Sequence, residues 1–146
     1  MKKAQLEKFI EKFLPDTMVS IRYFSDKEFR ENIGEHGANC VPLEYEGQKI
    51  MLLAINRSAF NHTYPDDVLK AVMMHEIGHA KNNKDRGSQA EYTAHRWALN
   101  KSKKLGMKDV VRVLRYMVKE WSRHGWNEDG GIYRKYIIAS RRLKHV

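Results

Sequence analysis

Met73-Met74-His75-Glu76-Ile77-Gly78-His79-Ala80 is the stretch from which the rest of the chain can be read. It holds a His-Glu-x-x-His pattern inside a run of helical character. On a helix, residues four apart lie one above the other on the same face, so His75 and His79 can offer both imidazoles to one metal ion. Glu76 lies one position round from the first histidine, where it reaches a metal-bound water as general base rather than as ligand. Val72, Met73 and Ile77 bury the remainder of the helix, which keeps the histidines in register. The pattern is that of zinc-dependent peptidases, with a single zinc ion.

A catalytic zinc takes three protein ligands and leaves one position open. Three residues compete for the third place. Glu91 lies on the next predicted helix, in Glu91-Tyr92-Thr93-Ala94-His95, and a helix–turn–helix return brings that face back over His75 and His79. Asp85 falls six residues after His79, the spacing used when the third ligand follows a glycine turn, but Asn82 occupies the turn position. His95, four residues after Glu91, shares its face. Glu91 is preferred, although Ser88 before it forms a capping-box pattern that claims the same carboxylate. His95 is then placed to hydrogen-bond a ligand and fix its orientation. Hydrolysis also needs a donor for the oxyanion. Tyr92, His62, Tyr64, His124 and Tyr133 are candidates, and nothing in the sequence chooses among them.

Outward from this centre the chain reads as alternating local patterns. Residues 2–14 place Leu6, Phe9, Ile10 and Phe13 at helical spacing and stop before Pro15. Met18 to Phe24 reads as a strand, and Asp26 to Ile33 as a short helical turn. Two more extended runs, Ala38 to Tyr45 and Gln48 to Ile55, flank Glu46-Gly47 as a tight hairpin turn. Pro42 makes the first of them an edge strand or a broken one. Asn56 to Tyr64 reads as a loop. Pro65, Asp66 and Asp67 suit the first turn of the helix that carries the histidines to about residue 82. The next helix, capped by Ser88, has Ala90, Ala94, Trp97 and Ala98 on its buried side. Met107 to Arg123 sets Val110, Val113, Leu114, Met117, Val118 and Trp121 opposite Lys108, Arg112, Arg115 and Lys119. A last apolar segment is expected at Ile132 to Ile138. One helix, a small three-stranded sheet and then a helical half predict an α+β fold, with residues 1–146 as one domain.

The net charge of +9 is unevenly distributed. Residues 1–94 carry 13 Lys and Arg against 14 Asp and Glu, whereas residues 95–146 carry 14 against 4. The whole excess therefore lies in the basic helical part C-terminal to the histidines, which suits an acidic partner or a solvated surface. Cys40, the one cysteine, has no intramolecular disulfide partner. No run reaches the length of a membrane span, and the first nine residues carry no signal-peptide core, so a soluble cytoplasmic protein is expected.

An extended segment ending in Ile55-Asn56, a helix bearing His75-Glu76-Ile77-Gly78-His79, and then Glu91-x-x-Ala94-x-x-Trp97-Ala98 resemble the ImmA/IrrE family of small metallopeptidases of phages, integrative elements and bacterial genomes. The resemblance spans residues 40–100. It implies a minimal zincin-like fold, ligands at His75, His79 and Glu91, and a catalytic glutamate at Glu76. It also implies site-specific cleavage of a DNA-binding repressor. His95 departs from the pattern, because zincins of this glutamate type often carry an acid there. The short interval between His79 and Glu91 is a second departure and demands a tight return loop.

Two functions of different kinds follow. One is a regulatory zinc metalloendopeptidase acting on a protein substrate. The other is a zinc-stabilised binding module whose basic C-terminal helix docks on nucleic acid or an acidic protein. The absence of a recognisable helix-turn-helix and of aromatics within the basic stripe disfavours nucleic acid. A general peptidase of short peptides is a weaker third. The oligomeric state has no signature in the sequence.

Overall fold

The structure, a computed structural model, describes residues 3–34, 38–59, 66–82 and 87–124. Within these, α1 (Lys3–Phe13) precedes β1 (Thr17–Phe24), α2 (Asp26–Asn32), β2 (Ala38–Tyr45) and β3 (Gln48–Asn56). A 3₁₀ turn at Arg57–Ala59 follows, then α3 (Asp66–Lys81), α4 (Gly87–Lys104) and α5 (Lys108–His124). The α+β class expected from the element order is the class observed. Among the described residues, no helix is long and apolar enough to cross a membrane.

The sheet has the order β1-β3-β2, so the last strand in the chain is the central one. β1 runs parallel to β3 and β2 runs antiparallel to it. Because side chains alternate between faces, the register aligns Val19 with Met51, Ile21 with Leu53 and Tyr23 with Ile55 on one side. Ala38 and Cys40 extend the same rows on β2. This face closes the core, with Met51, Leu53 and Ile55 fully buried and with Leu6, Ile10 and Phe13 of α1 in the same cluster. The Glu46-Gly47 turn has φ of 49° and 80°, both positive as a two-residue type I′ hairpin requires. Pro42 does sit on an edge strand, where a missing N–H is tolerated. Ser25 caps α2, its hydroxyl accepting from the Glu28 amide at 3.2 Å, which turns the predicted helical turn into a seven-residue helix.

α3 is enclosed on nearly all sides. Val68, Leu69 and every residue from Ala71 to Gly78 are buried, against α4, α5, β2 and α1. Helices with this pattern belong to a protein interior rather than to its surface. α4 ends in a Schellman motif: the Met107 amide bonds the Ser102 carbonyl at 3.0 Å, the Gly106 amide bonds the Lys103 carbonyl at 3.1 Å, and Gly106 supplies φ of 68°. The reversal lays α5 back across α3 and α4, with Val110, Val113, Leu114 and Met117 buried. Lys108, Arg112, Arg115 and Lys119 face solvent, as their spacing predicts.

α3 meets α4 at Gly78. A Cβ placed there would lie 2.9 Å from both the Cα and the carbonyl carbon of Ala94, and closer still to its oxygen. Those atoms are backbone and cannot turn aside. Alanine is the better helix former by about 1 kcal/mol, but overpacking of this kind costs about 1–3 kcal/mol. Gly78→Ala is expected to lower the melting temperature by several degrees despite the gain in helix propensity, as read by thermal unfolding followed by circular dichroism.

Candidate metal centre

The Gly78–Ala94 contact brings the face of α4 that holds Glu91 and His95 against the histidines of α3. His75 Nε2 lies 2.8 Å from one oxygen of Glu91, and His79 Nε2 lies 3.3 Å from the other. The two Nε2 atoms are 3.1 Å apart. Two imidazole nitrogens and a carboxylate thus point at one place, their ligand atoms within 4.8 Å of one another. Adjacent ligands of tetrahedral zinc, with bonds of about 2.0–2.1 Å, stand about 3.3 Å apart. The separations here fit that frame, and the donor set of two imidazoles and one carboxylate leaves a fourth position free. Of the three candidates for third ligand, Glu91 is the one brought to the histidines. His95 lies behind His75 rather than beside its Nε2, and Asp85 falls outside the described residues.

Burial works to raise the Glu91 carboxyl, but hydrogen bonds and charge from His75 and His79 overcome it and hold the group well below the usual carboxylate range. The carboxylate is therefore ionised and aimed inward. The expected capping box is corrected here. α4 begins at Gly87, so Ser88 stands inside the helix and not at its cap. A charge-assisted contact with two imidazoles outweighs a neutral cap bond for the same side chain.

Glu76 is 8% exposed, and its charge adds to burial in raising the Cys40 thiol of β2. The thiol is held protonated. Strand alternation puts Cys40 on the inner face, a parity signal that the sequence does carry. His95 is 2% exposed. Its Nδ1 is 3.3 Å from Nδ1 of His75, and its Nε2 is 2.7 Å from the Leu114 carbonyl oxygen of α5. Burial, then the neighbouring His75, push it down to about 3, against the opposing pull of the Leu114 carbonyl and Glu91. It is neutral at ordinary pH. Among the oxyanion candidates, Tyr92 is 44% exposed on α4 next to Glu91. The side chain of His124 and the whole of His62, Tyr64, Tyr133 and the segment 132–138 lie outside the described residues.

Comparison with protein-family models, with curated proteins and with solved structures finds no match to this chain. What defines the site is its own geometry: a His75–His79–Glu91 group able to hold a metal ion within an α+β fold.

A ligand that binds only the folded state stabilises it by about 2.7 kcal/mol at a hundred times its dissociation constant. Zinc added to the chelator-treated protein is expected to raise its melting temperature, and Glu91→Ala to abolish most of that rise. Scanning calorimetry with and without zinc measures both.

Proposed function

We propose that this chain is a zinc-dependent metalloendopeptidase of minimal zincin-like architecture, similar to the ImmA/IrrE family, acting in the cytoplasm on a regulatory protein such as a DNA-binding repressor. The observation that carries this reading is the convergence of His75, His79 and Glu91 on one point, with Glu76 next to the first histidine on a helix held rigid by burial. Zinc bound there supplies an acidified water and a Lewis acid for the peptide carbonyl.

The chain's own groups do the rest. Glu76 takes a proton from the attacking water and delivers it to the leaving amine. Glu91 contributes the single negative charge of the ligand set, so the site keeps a net positive potential towards a developing oxyanion. β2 supports a peptide substrate, because it is an edge strand packed against α3, the helix that carries Glu76. An extended peptide that pairs with such an edge passes the metal with its backbone in a regular register. The exposed cations Lys108, Arg112, Arg115 and Lys119 on α5 favour an acidic or nucleic-acid-bound target, and they are also what a pure binding module would use.

The test separates the two. Zinc-loaded protein is incubated with an unstructured protein and with a purified helix-turn-helix repressor, and fragments are read by mass spectrometry. Glu76→Gln is expected to keep zinc and fold while losing hydrolysis by about 10²–10⁴-fold. Purified protein that takes up no zinc, or cleavage that persists in Glu76→Gln, removes the proposal. Salt-sensitive duplex binding unaffected by Glu76→Gln, without cleavage, selects the binding module.

A further inference from the structure

The back of His75 is as closely held as its front. Glu91 and His95, four residues apart on α4, lie on one face of the helix and meet opposite edges of the same imidazole. A ligating histidine ordinarily passes its second N–H to a carboxylate, a carbonyl or water, and that partner decides which nitrogen is left bare for the metal. Here the partner is another imidazole, which can donate or accept, so it decides nothing unless its own second nitrogen is fixed.

The fixing group is on a third helix. The Leu114 carbonyl oxygen can only accept, and at 2.7 Å it obliges His95 Nε2 to carry the proton. Neutral His95 then presents a bare Nδ1, 3.3 Å from Nδ1 of His75. Were His75 protonated on Nε2 instead, two lone pairs would face one another between side chains 1% and 2% exposed. Groups so buried are costly to leave unmatched.

From this we propose that His95 is a positioning residue, and that a one-way chain of donors runs from His75 Nδ1–H through His95 to the Leu114 carbonyl. It fixes His75 with its Nε2 bare towards the metal and ties the metal centre to the backbone of α5. An acidic residue at this position would accept from His75 without any anchor. Histidine can do so only because α5 supplies one. The proposal rests on the metal-binding reading: without a metal the Glu91 carboxylate, 2.8 Å from His75 Nε2, competes to hold a proton on that nitrogen, so the assigned tautomer is that of the metal-loaded protein.

Long-range proton–nitrogen correlation spectra of the zinc-loaded wild-type protein read that tautomer directly. His75 is expected to carry its proton on Nδ1 and His95 on Nε2. His95→Leu removes both nitrogens at similar volume. It is expected to weaken zinc binding about 10–100-fold in competition with a chromophoric chelator. His95→Gln offers an acceptor and a donor on one amide and is expected to restore zinc affinity to within a few-fold of wild type. His95 protonated on Nδ1 in the zinc-loaded wild type, or equal zinc affinity in wild type and His95→Leu, overturns the proposal. The wild-type spectrum decides even if His95→Leu does not fold. Protein that takes up zinc and shows the assigned tautomers yet cleaves nothing sinks the peptidase reading and leaves the donor chain standing. Zinc-dependent cleavage with His95 protonated on Nδ1 does the reverse.

Discussion

The His75–His79–Glu91 cluster depends on how closely α3 and α4 can approach at Gly78 and Ala94. Helix axes usually stand about 8–10 Å apart, with side chains filling the gap. Here one helix contributes no side chain and the other a single methyl, so the backbone of α4 rests on α3. Metal–ligand distances tolerate errors of about 0.2 Å, far less than the thickness of a methyl group. A carboxylate on α4 therefore meets two imidazoles on α3 only if the space between the helices is this small. The glycine inside the histidine motif and the buried alanines Ala94 and Ala98 of α4 are one structural device.

Enclosure then sets the chemistry. His75 and Glu76 are buried on a helix whose other neighbours are Met73, Met74 and Ile77, all inaccessible to water. In such surroundings unmatched lone pairs repel strongly and matched ones bind strongly. Three ligand atoms directed at one point are a poor arrangement for a protein that holds nothing there and a good one for a divalent cation. The same shielding applies to His95 and Cys40, both kept neutral, whereas Glu91 is held ionised by the two histidines.

Much of this was legible in local spacing. The i, i+4 histidines, the positive-φ hairpin at Glu46-Gly47, the edge proline and the apolar stripe of α5 each follow from rules acting over a few residues. Glu91 was legible as a candidate because a helix–turn–helix return brings its face of the next helix over the two histidines. The capping role of Ser88 misled because a cap bond and a charge-assisted contact compete for one carboxylate, and local rules cannot weigh a partner on another helix. The parallel pairing of β1 with β3 joins residues far apart in the chain and leaves no local pattern. The Leu114 anchor is a backbone carbonyl, which has no residue signature at all. Gly78 was the missed clue, since a glycine in mid-helix costs about 1 kcal/mol and implies a close neighbour.

The strand order has a consequence for the nascent chain. As residues leave the ribosome, β1 and then β2 appear without a pairing partner, because both of their inner edges belong to β3. The sheet cannot grow strand by strand. It waits for Gln48–Asn56, which meets β2 across a local turn but meets β1 only through contacts of long sequence separation, the slow kind. Until that moment two β-prone segments stand with open edges, the exposure that invites aggregation. The hairpin at Glu46-Gly47 shortens the wait for β2 to a two-residue turn, leaving β1 as the segment with most to gain from a chaperone.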